Sequence, residues 1–426
     1  MQSLTYGQLI RGNRNFRNLL AGQFISELGN WFNFIAGLGL VRHVSDASPT
    51  AAGLFFVARL IPFAIMSPIA GTFVDRFSRR QVMIATDLAR GLIALAFLFV
   101  TNAEDLWIAY LATVLLHTFG AFFDGAKNAA APNLTGKEGL LAGTALLFST
   151  RFLLMAIGSA LGGWAAAYLG YKAAFIINAL SFLASAYTVW LIPEEATRDD
   201  ETAERMASKA NRSPFMTELR EGVKYALTDR FAATILIMNV IWATGGGSIN
   251  IIFERIGGVH FASVEGWNPD AAVGALWFAT GLGLAFGMLI AHRTSVYLDR
   301  RGRNRAFIGW TLIVHGVVFS FGAFMPTLWL FAIVAFISRA IVGVEYAVQE
   351  TMFQRSLPDQ IRGRISTLDR GAEMTVFGLS SFAAGELMYF ITPQTLTIVS
   401  GVLSALAGVV WFVRQPRENT GPAAVG

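Results

Sequence analysis

Residues 71–80 read GTFVDRFSRR and residues 295–305 read SVYLDRRGRNR. In each, an acid (Asp75 or Asp299) is followed at once by a basic cluster, Arg76, Arg79 and Arg80 in the first and Arg300, Arg303 and Arg305 in the second. Both stretches lie between long apolar runs and are too short to be domains. Working outward from them, apolar segments bounded by charge, proline or glycine fall at about 16–41, 51–74, 81–101, 105–130, 139–167, 171–192, 231–256, 270–297, 305–324, 327–350, 364–390 and 393–413. Each is long enough to cross about 30 Å of hydrocarbon as a helix. The first loop follows the second segment and the other follows the eighth, so the motif recurs six spans apart, as in transporters built from repeats. The expected fold is an all-α membrane protein, twelve transmembrane helices in two pseudo-symmetric six-helix bundles.

Composition agrees with that reading. With 54% hydrophobic residues, 14% charged residues and 35 Phe among 426, the chain lacks the polar surface of a soluble globule of this size. There is no cysteine, which excludes disulfide scaffolds, thiolate metal sites and cysteine nucleophiles. The sequence has no P-loop, no HExxH and no GxSxG, so neither ATP coupling nor a hydrolase or metal site is expected, and no cofactor. The net charge of +5 comes from basic residues scattered in short loops, as insertion topology requires, and nucleic acid is not an expected partner.

The stretch 194–212 carries ten charges in nineteen residues and no aromatic residue, the composition of a solvated linker. It divides the chain into an N-terminal bundle (1–192), a cytoplasmic charged linker (193–230), a C-terminal bundle (231–414) and a cytoplasmic tail (415–426). If the N-terminus is cytoplasmic, 25 of the 33 basic residues, Lys127 and Arg370 among them, fall in cytoplasmic segments. Only Arg42, Lys172 and Arg255 fall outside, and Arg59, Arg90, Arg151, Arg293 and Arg339 lie within spans. That bias places both termini in the cytoplasm.

The two loops resemble the GxxxDRxGRR motif of the major facilitator superfamily, and the resemblance extends over essentially the whole chain. The first copy departs from the motif at Ser78 and the second at Ser295. Asp87 and Arg90 in span three, the opening NRNFR (13–17), Gly22-Gln23 and Arg362-Gly363-Arg364 are similar to the bacterial branch that contains macrolide and enterobactin exporters. The resemblance implies a monomer in the bacterial inner membrane that moves a small molecule by alternating access. It also implies a cytoplasmic gate formed by Gly71, Asp75, Arg76, Arg79 and Arg80 with Asp299, Arg300 and Arg303 of the second copy. GSALGG (158–163) is similar to an antiporter signature with Ser159 in place of proline; small residues that let helices pack closely are the equal alternative.

Charges in mid-membrane cost at least about 2.5 kcal/mol each, so they need a partner or a wet cavity. Glu27, Arg59, Arg151 and Arg339 lie about eight to twelve residues into their spans, near mid-depth. The family pattern of spans one, four, seven and ten lining the cavity favours Glu27, Asp124, Arg339 and Glu345. Glu27 and Asp124 are the expected proton-coupling carboxylates, and Arg339, Glu345, Trp242 and Asn250 the expected cavity residues. Asp87 and Arg90, three apart on one helix face, are expected to form a structural ion pair. His315 is expected to pack through a hydrogen bond, with His117 also near mid-depth. WATGGGSIN (242–250) permits either local unwinding or close packing. The expected function is proton-coupled efflux of an amphipathic organic molecule; lipid or lysolipid translocation and a non-transporting sensor or scaffold are the alternatives.

Overall fold

The computed structural model describes residues 4–74, 77–197, 220, 222–225 and 228–414. After a short Tyr6–Gly12 helix come twelve long helices. Six are α1 (Arg14–Val44), α2 (Pro49–Val74), α3 (Arg79–Phe99), α4 (Ala103–Gly136), α5 (Glu138–Tyr168) and α6 (Tyr171–Trp190). The others are α7 (Arg230–Glu265), α8 (Pro269–Arg301), α9 (Asn304–Phe324), α10 (Leu328–Ser356), α11 (Asp359–Leu387) and α12 (Pro393–Arg414). Helices α1–α6 pack on one another, as do α7–α12. Among the described residues, ten of the twelve are long and apolar enough to cross a membrane by length and composition. The other two, α1 and α11, are long enough but carry many polar residues, and they turn several of these toward the interior described below.

Local signals set the helix ends. Asn13, Asp229, Asn268 and Thr327 each cap a helix by accepting a backbone N–H with the side chain. Gly136 (φ 66°) breaks α4 from α5, and Gly302 (φ 60°) ends α8 in the left-handed conformation that glycine adopts without steric cost. The polar loop expected after residue 130 is instead helix up to this kink. Lys127, counted as cytoplasmic in the charge census, is buried inside α4. The linker also begins later than its composition suggests: Glu194–Thr197 forms a helical turn, and the Thr197 carbonyl accepts from Arg79 (3.1 Å) and Asn133 (3.2 Å). The rest of the linker up to residue 219 lies outside the described residues.

We call the end carrying Arg14 and Arg414 the base and the opposite end the crown. The halves meet along two seams, α5 with α8 and α2 with α11. Both are made of glycine. At Gly163 an added Cβ would stand 2.7 Å from the Asp270 carbonyl oxygen and 3.0 Å from the Gly274 Cα, and at Gly385 2.6 Å from the Pro49 carbonyl oxygen. GSALGG (158–163) therefore contributes close packing, Gly162 against the backbone of Trp31 and Gly163 against α8. Gly163→Val should destabilise the protein by about 1–3 kcal/mol, because the obstructing atoms are backbone and cannot swing away. Thermal denaturation in detergent checks this against Gly371→Ala, where no atom lies within 4 Å of the new Cβ.

The buried apolar residues are shared unequally between the two ends. Toward the crown one continuous core joins both halves, with Phe34, Phe55 and Phe56 of the first against Phe253, Val273 and Leu276 of the second. Toward the base it divides into two separate clusters, one within each half. The halves thus share one apolar core at the crown and keep separate ones toward the base.

Candidate functional site

A cavity of about 220 Å³ lies directly beneath the shared core. The register along α1 shows this: residues 32–41 supply the core, whereas Gln23, Glu27 and Trp31 line the cavity. On α2, Phe55 and Phe56 lie in the core and Arg59 and Phe63 face the cavity. Helix α4 adds His117 and Asp124, α5 adds Arg151, and α11 adds Arg370 and Met374. Arg370, assigned to a cytoplasmic segment by charge counting, is thus a lining residue.

Local contacts fix most of these charges. Asp124 is already paired, its Oδ1 accepting from Lys127 Nζ at 2.6 Å. Arg90 pairs with the fully buried Asp87 and lies over the rings of Phe123 and Phe182, 4.5 and 4.4 Å from their centroids. Three charged lining groups have no ion-pair partner within 4 Å among the described residues: Arg59, Arg151 and Glu27. Arg59 instead stands 3.3 Å from His117 Nε2 and 4.3 Å above the Phe34 ring. The chamber therefore offers charges of both signs that make no close ion pair among the described residues, beside aromatic and thioether surface.

An ion network closes the crown above it. Arg42 at the end of α1 pairs with Asp270 at the start of α8, and its Nη1 lies 3.8 Å from Glu254 on α7. Glu254 is also 3.1 Å from Arg255, whose guanidinium donates to the Ala47 carbonyl. Ala47 (φ 55°) and Asp46 (φ 50°) hold left-handed backbone in the turn between α1 and α2, aiming that carbonyl at the opposite half. Sequence reasoning counted Arg42 and Arg255 as loop residues outside the spans; both are buried and bind the halves together. The only signal was that they were exceptions to an otherwise one-sided charge distribution.

A second polar cluster lies within the C-terminal half. Glu345 and Glu373, 3% and 8% exposed, line one small cavity with Trp242, Asn239 and Gln349. Arg370 Nη1 is 3.6 Å from Glu373 and donates to the Tyr346 hydroxyl at 2.8 Å. Asn239 donates to Asp369 (3.0 Å) and accepts from Gln349 (2.9 Å). Of these, the sequence reading found Glu345 and Trp242. Glu373 and Asp369 were missed, because the early part of α11 is too polar to announce its depth.

The sequence profile described as the Major Facilitator Superfamily matches residues 19–296. The chain belongs to that superfamily. An MFS-type transporter of Bacillus subtilis, YfiS, is 23% identical over 95% of this chain and 94% of its own length. Macrolide efflux protein A of Streptococcus pyogenes is 21% identical over 83% of this chain and 84% of its own. The crystal structure of a bacterial homologue of the iron transporter ferroportin in its inward-facing state superposes with a TM-score of 0.69 at 17% identity, covering 94% of this chain and 98% of that one, and shows the shared fold. The protein is an integral membrane transporter and not an enzyme.

Within this MFS transporter, Asp75 and Arg76 of the expected gate lie outside the described residues. Gly71 is exposed, and a Cβ added there would meet no neighbouring element within 4 Å. Arg79 and Arg80 donate to backbone carbonyls of their own half, Thr197 (3.1 Å) and Trp190 (2.5 Å). Asp299 pairs with Arg355 at 3.2 Å and accepts from Asn304, while Arg300 and Arg303 are exposed. No described side chain of the motif bridges the halves at the base. Two other expectations are corrected, for Asn250 and Arg339, and one open alternative, at the α7 glycines, is decided. Asn250 donates to Ser381 (2.9 Å) in the α7–α11 seam, away from either cavity. Arg339, on α10, is buried against Gly283 of α8, with no ion-pair partner within 4 Å among the described residues, and does not line the central cavity. The Gly245–Gly247 run does not unwind: α7 is continuous there, because the glycines admit the Ser400 and Phe377 carbonyls, 2.7 and 2.5 Å from where a Cβ would be. His315 accepts from or donates to Ser338 and is buried in packing.

Proposed function

We propose that this transporter is a proton-driven exporter of a small amphipathic organic molecule, working as a monomer by alternating access in the bacterial inner membrane, with both termini cytoplasmic. One observation carries the reading: a chamber with unpaired charges and aromatic walls lies beneath a crown in which both halves share one core, while below it their cores are separate. Such a chamber receives a molecule from the base side. Export then requires the crown network to part and the base to close. The mixed lining fits a molecule with both an ionised group and an apolar body. The macrolide efflux relative supports the export direction.

The test is transport in reconstituted vesicles. With an imposed pH gradient, labelled amphipathic compounds should accumulate against their own gradient, and collapsing the pH difference should abolish it. Movement indifferent to the gradient would remove proton coupling, and movement of lysolipid alone would favour lipid translocation. Orientation is tested separately, since the chain has no cysteine. Lys172→Cys at the crown should react with an impermeant maleimide in intact cells, and Arg300→Cys at the base only after lysis; the reverse pattern would invert the topology.

A further inference from the structure

We infer that the exchanged proton resides on the Glu345–Glu373 pair in the C-terminal half, not on Glu27 or Asp124. The inference rests on the proton-driven reading above and names its site. A coupling carboxylate must be able to be neutral in at least one state, so it must be buried with no permanent counter-ion. Asp124 fails this condition, being held by Lys127 at 2.6 Å. Glu27 is half-buried on the wall of the main chamber, with Arg59 and Arg151 as the charges that share its surroundings.

Glu345 meets the condition. It is 3% exposed, no cation lies within 4 Å of it among the described residues, and its Oε1 has no hydrogen-bond partner there. The indole N–H of Trp242, lining the same small cavity, is likewise unpartnered. The groups around the pair are accounted for on every neighbouring helix. Helix α11 presents Glu373, Asp369 and Arg370, and α10 itself presents Tyr346 and Glu350. Helix α7 presents the neutral Asn239 and Trp242, α9 presents Leu312, and α8 meets α10 through Gly283 and Gly287. Among the described residues around the pair Arg370 is the one cation, and it is committed to Glu373 and Tyr346. An ionised Glu345 beside Glu373 would therefore be a second buried negative charge facing one arginine, which a proton on Glu345 relieves.

The location also explains how the proton could be coupled to movement. Glu373 lies on α11, the helix that forms one of the two seams with the N-terminal half, whereas Glu345 lies on α10 inside the C-terminal half. Any rocking of the halves that shifts α11 against α10 and α7 changes the surroundings of the pair. Arg370 also reaches the main chamber, so the pair adjoins the substrate site without being part of it.

The experiment needs no substrate. Spin labels on Glu104→Cys and Val264→Cys, both exposed at the crown on opposite halves, report crown opening by pulsed dipolar spectroscopy in nanodiscs across about pH 5 to 9. The distance distribution should change with pH in the parent, and the change should be lost in Glu345→Gln and in the Glu345→Gln/Glu373→Gln double variant while persisting in Glu27→Gln and Asp124→Asn. A pH-independent parent, a response that survives in the double variant, or one abolished by Glu27→Gln would each overturn the assignment. If the double variant does not fold, Glu345→Gln, isosteric with the protonated acid, decides alone. Vesicle transport separates the two claims: a pH response on this pair without gradient-driven transport sinks the exporter reading, whereas gradient-driven transport by Glu345→Gln sinks the site.

Discussion

Arg90→Ala should lower the stability of the purified protein by about 3–5 kcal/mol, the cost of leaving a buried charge without its partner. Asp87 is fully buried on α3, and its ion-pair partner within 4 Å among the described residues is Arg90. The guanidinium also lies between the rings of Phe123 on α4 and Phe182 on α6, so its removal opens a gap among three helices as well as stranding an anion. Thermal denaturation in detergent measures the loss, and a cycle assigns it. The Asp87→Asn/Arg90→Ala double variant should be more stable than Arg90→Ala, because it leaves the same gap but strands no charge. Equal stabilities would mean that packing, not the ion pair, carries the effect.

The other large effect is expected at the crown. Arg42→Ala removes the cation that joins α1 to α8 and leaves Asp270 without an ion-pair partner within 4 Å among the described residues. Glu254 keeps Arg255. Because the two pairing groups belong to opposite halves, the penalty is confined to conformations in which the crown is closed, and water can solvate Asp270 once it opens. Each 1.4 kcal/mol of that penalty moves the closed-to-open ratio tenfold, so a loss of about 3 kcal/mol moves it about a hundredfold. A cysteine at Thr280, 2% exposed on α8 in the closed form, reports the change. Its labelling by an impermeant maleimide should rise strongly in the Arg42→Ala background. Unchanged labelling of a folded variant would show that the apolar core closes the crown without the ion network.

How far the sequence reaches depends on whether a feature is local to one helix. Each span must satisfy its own backbone hydrogen bonds within the membrane, so it announces itself as a self-contained apolar run, and the twelve spans, the repeated acid-and-arginine loop and the superfamily were legible from residue order alone. The Asp87–Arg90 contact was legible for the same reason, the partners being three residues apart on one helix. What escaped depends on which faces of distant helices meet. Arg42 and Asp270 are 228 positions apart, and nothing near either residue names the other, so Arg42 read as a loop charge until the fold brought the crown together. Lys127 and Arg370 read as cytoplasmic charges because polar residues toward a helix end look the same whether they meet water or a cavity. The glycines of α7 left unwinding and packing equally open. Only the carbonyls of Ser400 and Phe377 pressed against them decided for packing, since a glycine's role is set by the atoms that occupy the space its missing side chain leaves.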